Sequence, residues 1–351
     1  MSTPLAQTLI SHGRIPAAFF TPDGVPGDWR VFQVTFPTPF PDDAVRVVAM
    51  ASSDGVDAGL GTIAAVPVIV GANRTGFTIA ARNSDCSAGS AGMHWIAALE
   101  RPGSPATASV DVRTVVLPPR FSAADCLSGD WNGWTYRFQH ALPSAPTLVA
   151  TPVRHQGDST LEVTVFGLVS GTAVLQQRPT LVGVAAAATP TDISLNARNG
   201  GGWPGRAAMN AVAVASPGTP SPAMIVDSGV TAAVAVAPTG GNIFTGLEVQ
   251  FAVPFATPPV VLITACDAGL PAGTSPPAVV GTAERITTHG FTIEAMNTDV
   301  AGGRSAFFWM ALGCGTHCGA GAPVDRPQPP VRPPVTPVGP IGTTAHGDRT
   351  S

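Results

Sequence analysis

Lysine is missing altogether: all 18 basic residues of the 351-residue sequence are arginines. Without lysine there can be no Schiff-base chemistry at a lysine amine and no P-loop lysine on a phosphate. A GC-rich genome is the plain explanation. Charge of any kind is scarce at 11%, and the net charge of −4 with a pI near 5.9 leaves no basic face for nucleic acid. Tyrosine occurs once, as Tyr136. No run of eighteen apolar residues exists, so no membrane-spanning helix and no membrane insertion are expected. The first twenty residues lack a basic n-region and a continuous apolar h-region, so no Sec signal is expected. Catalytic signatures are also missing: there is no H-E-x-x-H, no G-x-S-x-G and no assignable carboxylate pair. The seven histidines recur at no common position, so the expectation is a protein that is not an enzyme and takes no cofactor.

What is present points to an all-β chain. Apolar residues reach 44%, which excludes disorder throughout. Glycine (39) and proline (36) interrupt the sequence too often for long helices and suit short strands joined by turns.

The sequence repeats itself three times. Arg74 to Asn83, Pro190 to Asn199 and Thr288 to Asn297 each read as a half-buried strand with alternate apolar positions. Downstream lie Met93-His94-Trp95-Ile96-Ala97, then Met209-Asn210-Ala211-Val212-Ala213, then Phe308-Trp309-Met310-Ala311. Upstream, Phe36 and Phe40 are matched by Phe138 and Leu142 and by Phe251 and Phe255, each pair followed by an apolar strand. About 70–100 residues with roughly six short strands is the size of a small β-sandwich. The expected organisation is module 1 over 1–101, module 2 over 102–215 and module 3 over 216–314. A tail over 315–351 follows, whose Pro323 to Pro340 stretch suits an extended polyproline-II-like segment.

Phe36, Phe40, Val45, Gly76, Phe77, Ile79, Trp95 and Ala97, with their counterparts Phe251, Phe255, Pro258, Val260, Gly290, Phe291, Ile293, Trp309 and Ala311, form a pattern that resembles the H-type lectin module. The resemblance covers about two-thirds of the chain and rests mostly on core positions. It implies six-stranded antiparallel sandwiches that associate as trimers and bind galactose-type sugars in clefts between subunits. Three copies in one chain would then form an internal pseudo-trimer.

Three places would carry the sugar contacts. The first is an acidic Gly-rich loop, here Asp28-Trp29 in copy one and Asp130-Trp131 in copy two, with Asn242 in copy three. Aspartate accepts hydroxyl hydrogen bonds and tryptophan offers a ring face to a sugar. The second is an arginine, where this sequence has Val68, Val184 and Thr282. The third is a His or Trp, where it has Asp85, Gly201 and Asp299. The candidate carbohydrate-binding residues are therefore Asp28, Trp29, Asp130, Trp131, Asp85 and Asp299.

Other features have plainer readings. Trp95 and Trp309 lie in terminal strands and are expected in the core. Trp29, Trp131, Trp134 and Trp203 sit near Gly-rich loops and suit either a core or a binding surface. Cys314, His317 and Cys318 could supply three zinc ligands, with Cys266 as a fourth. A local disulfide or two thiols is the preferred reading, so no metal is expected. Cys86 and Cys126 could form a bridge. Asn73-Arg74-Thr75 is a formal glycosylation sequon with no evident use.

The functional expectation is adhesion: lectin-like modules recognising cell-surface glycan, gaining strength through several copies, in a bacteriophage virion or at an extracellular surface. The alternative is a structural virion protein, a tail or capsid decoration, whose modules and tail contact neighbouring virion proteins. An oligomer is compatible with either.

Overall fold

In the computed structural model, the described residues are 10–20, 30–54, 56, 65–83, 88–99, 110–121, 132–138, 141–153, 181–186, 190–199, 205–215, 225–238, 244–266, 270, 279–297 and 302–313. They contain nineteen strands and no helix, so the architecture is all-β and sandwich-like. The strands fall into three successive sets. The first holds β1 (Ile10–Phe20), β2 (Arg30–Thr35), β3 (Val45–Ser52), β4 (Ala65–Asn73), β5 (Gly76–Asn83) and β6 (Gly89–Leu99). The second holds β7 (Val110–Phe121), β8 (Asn132–Arg137), β9 (Thr147–Val153), β10 (Leu181–Ala186), β11 (Asp192–Asn199) and β12 (Gly205–Val214). The third holds β13 (Ile225–Val230), β14 (Val234–Val236), β15 (Phe244–Gln250), β16 (Val260–Cys266), β17 (Val279–Glu284), β18 (Gly290–Asn297) and β19 (Gly303–Gly313). The short β14 continues the work of β13 along β19, as the bulged second half of β1 does along β6.

One pairing rule recurs in all three sets. Counting β13 and β14 together, the first, sixth and third strands of a set pair antiparallel, and so do the second, fifth and fourth. Each such half-sheet is extended by a half-sheet from another set, giving β1-β6-β3-β17-β18-β15, β13-β19-β16-β10-β11-β8 and β2-β5-β4-β9-β12-β7. The junctions are parallel: Ser52 pairs with Ala283, Cys266 with Ala185 and Val153 with Ile69. Each third strand thus meets the fourth strand of another set, and the three junctions run in a closed cycle. Antiparallel pairing, the expectation for the whole, holds inside each set and gives way to parallel pairing at the three junctions.

Burial explains why the third and sixth strands form the centre. β6 is buried at every residue and β19 at all but its first two. Met93, Trp95, Ala97 and Leu99 face the core shared with β4 and β5. On the opposite face, Ile96 and Ala98 join Val212, Val214, Met310 and Leu312, with Val48, Val149 and Leu262 from the third strands, in a single central core. Successive strand residues point to opposite faces, so a strand between two cores needs an unbroken apolar run. The fifth strand β18 is likewise more buried than a half-buried strand: it exposes part of Glu294 and little else.

The paired-aromatic turns anchor each set. Phe36 N–H donates to Thr75 O and Phe40 N–H to Arg74 O (2.9 and 2.8 Å). Phe251 and Phe255 repeat this on His289 and Thr288, and Phe138 and Leu142 on Thr191 and Pro190. The rings then build one aromatic cluster in each of two sets, part edge-on and part tilted or stacked: Phe36, Phe40, Phe77 and Trp95, and Phe251, Phe255, Phe291 and Trp309. Both tryptophans are core residues, as their strand pattern implies. Each indole lies on a glycine of the neighbouring first strand: a Cβ at Gly13 would sit 2.7 Å from Trp95 Cζ2, and one at Gly229 2.9 Å from Trp309 Cζ2. Where the second set has Ala211 in place of tryptophan, its partner is Arg113 in place of glycine.

Candidate functional site

The candidate carbohydrate residues Asp28, Trp29, Asp130, Trp131, Asp85 and Asp299 all lie outside the described residues, as do Asn242, Gly201, Trp203, Cys86, Cys126, Cys314, His317 and Cys318. Their flanking strands are described. In the first set, Arg30 pairs with Ala81 and Ala65 with Asn83, so the start of β2, the start of β4 and the end of β5 share one end of a half-sheet. The pairs Asn132–Ala197 and Leu181–Asn199 repeat this in the second set. Phe244–Met296 and Val279–Asn297 repeat it in the third. The segments holding the candidate residues therefore leave from equivalent ends of three half-sheets. Val68, Val184 and Thr282 also occupy equivalent register positions, opposite Ala80, Asn196 and Glu294. Thr282 is fully buried and its hydroxyl has no hydrogen-bond partner among the described residues.

The polar chemistry that is described sits at the centre, on positions the sequence did not single out. Register makes His94, Asn210 and Phe308 equivalent, each paired with Met50, Thr151 and Thr264 in turn. Each of these six side chains reaches another set. Asn210 Nδ2 donates to Val47 O at 2.8 Å, and Thr151 Oγ1 accepts from Ala49 N–H and donates to Ala49 O, both at 2.8 Å. Ala150 N–H donates to Thr264 Oγ1 at 3.0 Å, while Phe308 shares an apolar cluster with Leu148. Ile263 N–H donates to the Met50 sulfur at 3.0 Å. The repetition is cyclic: second set to first, third to second, first to third.

His94 closes the remaining seam. It is fully buried, and its Nδ1 accepts the Val261 N–H at 2.9 Å, with the Val261 carbonyl oxygen 3.3 Å away. Because Nδ1 is an acceptor, the ring proton lies on Nε2, which donates to Asp54 Oδ2 at 2.7 Å. Asp54 also pairs with Arg14 at 3.0 Å, and Arg14 Nη2 donates to the carbonyls of Pro258 and Pro259 (2.6 and 3.1 Å). Burial acts to raise the Asp54 pKa, but the hydrogen bond from His94, with the electrostatic pull of that ring and of the Arg14 guanidinium, outweighs it and holds the carboxyl below its ordinary value. His12, on β1 beside this group, has its pKa lowered by burial first and by Arg14 and His94 second.

A histidine bonded to an aspartate invites a catalytic reading, and the geometry gives a structural one. Both ring nitrogens are engaged, one by a carboxylate and one by a backbone amide, so neither is placed on a nucleophile or a substrate. Cys266 is fully buried at its junction in the cluster that also holds Phe308 and Leu148. Among the described residues no group of three His, Cys, Asp or Glu side chains is placed to hold a metal ion. Asn73 Oδ1 accepts from Thr75 N–H, Thr75 Oγ1 and Gly76 N–H, which closes the β4–β5 turn and accounts locally for the sequon asparagine.

Compared with known families, curated proteins and solved structures, the chain matches no family model, no curated protein and no solved structure.

Proposed function

We propose that the chain is a non-enzymatic adhesion protein, three H-type-lectin-like modules closed into an intrachain pseudo-trimer that recognises surface carbohydrate in a virion or surface assembly. The observation that carries this reading is the cyclic exchange of half-sheets among three strand sets. An arrangement of that kind would set three equivalent module junctions in one chain, and the segments with Asp28-Trp29 and Asp130-Trp131 lead into equivalent ends of their half-sheets. Three weak sites on one rigid frame would gain avidity on a repetitive glycan surface. The Pro-rich tail, 315–351, would serve as the attachment segment.

A second reading, a structural virion protein whose modules and tail make assembly contacts, is favoured by one observation. The position where a family arginine would meet sugar holds Val68, Val184 and a buried Thr282.

A glycan array with the full-length chain separates the two. Adhesion predicts signal on galactose-type sugars, reduced at least about tenfold by Asp28→Ala with Asp130→Ala. No signal on any glycan would contradict it. Under the second reading, deleting 323–351 abolishes incorporation into the assembly, and unchanged incorporation would count against that role.

A further inference from the structure

Among the described residues, only one of the three central seams is built on a side chain whose ordinary titration range spans neutral pH. Asn210 with Thr151, and Phe308 with Thr264, hold their seams with groups that keep one protonation state in water at all ordinary pH. His94 occupies the equivalent place where the first set meets the third, and histidine changes charge between about pH 5 and 8. We propose that this seam is an acid-sensitive clasp, closed by neutral His94 and loosened when the ring takes a second proton.

The chemistry follows from the contacts. In the neutral ring Nδ1 offers a lone pair to the Val261 N–H. A proton on Nδ1 turns that acceptor into a donor facing another donor. The ring can then turn toward the Val261 carbonyl oxygen, now at 3.3 Å, but the buried Val261 N–H is left without its acceptor. The charged groups around the ring are those of every strand packed on it. His12 and Arg14 come from β1, and Asp54 follows β3. Arg46 of β3 places Nη1 on its own Val45 carbonyl, and β16 faces the ring with the Val261 backbone. Among the described residues of these strands Asp54 alone is negative; it would hold the imidazolium in place but does nothing for the orphaned amide. Loosening here frees Arg14 from Pro258 and Pro259 as well, because the same Asp54 oxygen positions both Arg14 and His94. The proposal stands on these seam contacts and is independent of what the protein binds.

The test is hydrogen–deuterium exchange on the full-length chain at pH 7.5 and pH 5.0, corrected for intrinsic exchange rates. Amides Val261 to Ile263 report the His94 seam; Val47 to Ala49 report the Asn210 seam in the same molecule. The clasp predicts that protection over Val261 to Ile263 falls at least about tenfold at pH 5.0 while Val47 to Ala49 keeps its own. His94→Asn, whose Oδ1 can accept the Val261 N–H and does not titrate, should keep protection at both pH values. Equal protection of Val261 to Ile263 at the two pH values would overturn the proposal. So would a fall of the same size at both seams, or an unchanged fall in His94→Asn. The comparison of the two seams needs no variant, so it decides the matter even if His94→Asn does not fold.

Discussion

The Nδ1 atom of His94 accepts a hydrogen bond from the backbone amide of Val261, 167 residues further along the chain, at 2.9 Å. Around this contact the first and last strand sets are joined by His94, Arg14 and Met50 together. Replacing His94 with alanine would leave the Val261 N–H and part of the Asp54 carboxylate unsatisfied and open a cavity beside the central core. The expected loss is about 3 kcal/mol of unfolding free energy, read from urea denaturation at pH 7.5. Asn210→Ala, which strands one buried carbonyl, should lose about 1–2 kcal/mol.

Acid should destabilise the fold in two steps of the same sign. His12 has a folded-state pKa below its ordinary 6.5, so the unfolded chain binds its proton first and stability falls as pH drops below about 6.5. Asp54 is held below its ordinary 3.8, so its contribution is fully present above that value and is lost as pH falls through the lower folded-state value. Thermal melts from pH 7.5 to pH 3 should show both declines. His12→Gln should lessen the first and Asp54→Asn the second; a melting temperature that rises on acidification would contradict this account.

The tryptophan–glycine pairs make a steric prediction. Gly13→Ala and Gly229→Ala drive a Cβ into a buried, rigid indole and should each cost about 1–3 kcal/mol. Combining Gly13→Ala with Trp95→Ala should cost less than the sum of the two single changes. The second set has already made the paired replacement, with Arg113 opposite Ala211. A double-mutant cycle with no coupling would reject the packing explanation.

Cys266 should be inert. Its side chain is fully buried among Phe308, Leu148 and Ala306, where a thiol does not meet a reagent. Peptide mapping after iodoacetamide treatment of the native protein should find Cys266 unmodified, and modified only after denaturation. Labelling of the native protein at this site would contradict the burial.

Much of the architecture was legible in the sequence because the same physical demand recurs three times. The turn that Phe36 and Phe40, Phe138 and Leu142, and Phe251 and Phe255 make onto the start of the fifth strand leaves a local pattern at each repeat. The alignment of Val68, Val184 and Thr282 agrees with the strand register for the same reason. The cyclic exchange was hidden, since each parallel junction rests on a single residue pair and leaves no periodic trace. His94 was hidden too. Its equivalents are Asn210 and Phe308, so no motif repeats, and its partners come from distant strands. The available signal was a polar residue at the same place in two otherwise apolar runs, Met93 to Ala97 and Met209 to Ala213.

The closed cycle is the claim on which the rest depends, and a disulfide at its closing junction tests it most directly. Ser52 and Ala283 are register partners on β3 and β17 and are both fully buried. Neighbouring strands lie about 4.8 Å apart, within the span a disulfide bridges. In Ser52→Cys with Ala283→Cys, with Cys86, Cys126, Cys314 and Cys318 changed to serine and Cys266 kept, oxidation should yield a cross-linked peptide pair at the mass of one chain, 35.5 kDa. A cross-link found only between chains, or none at all, would contradict closure within the chain.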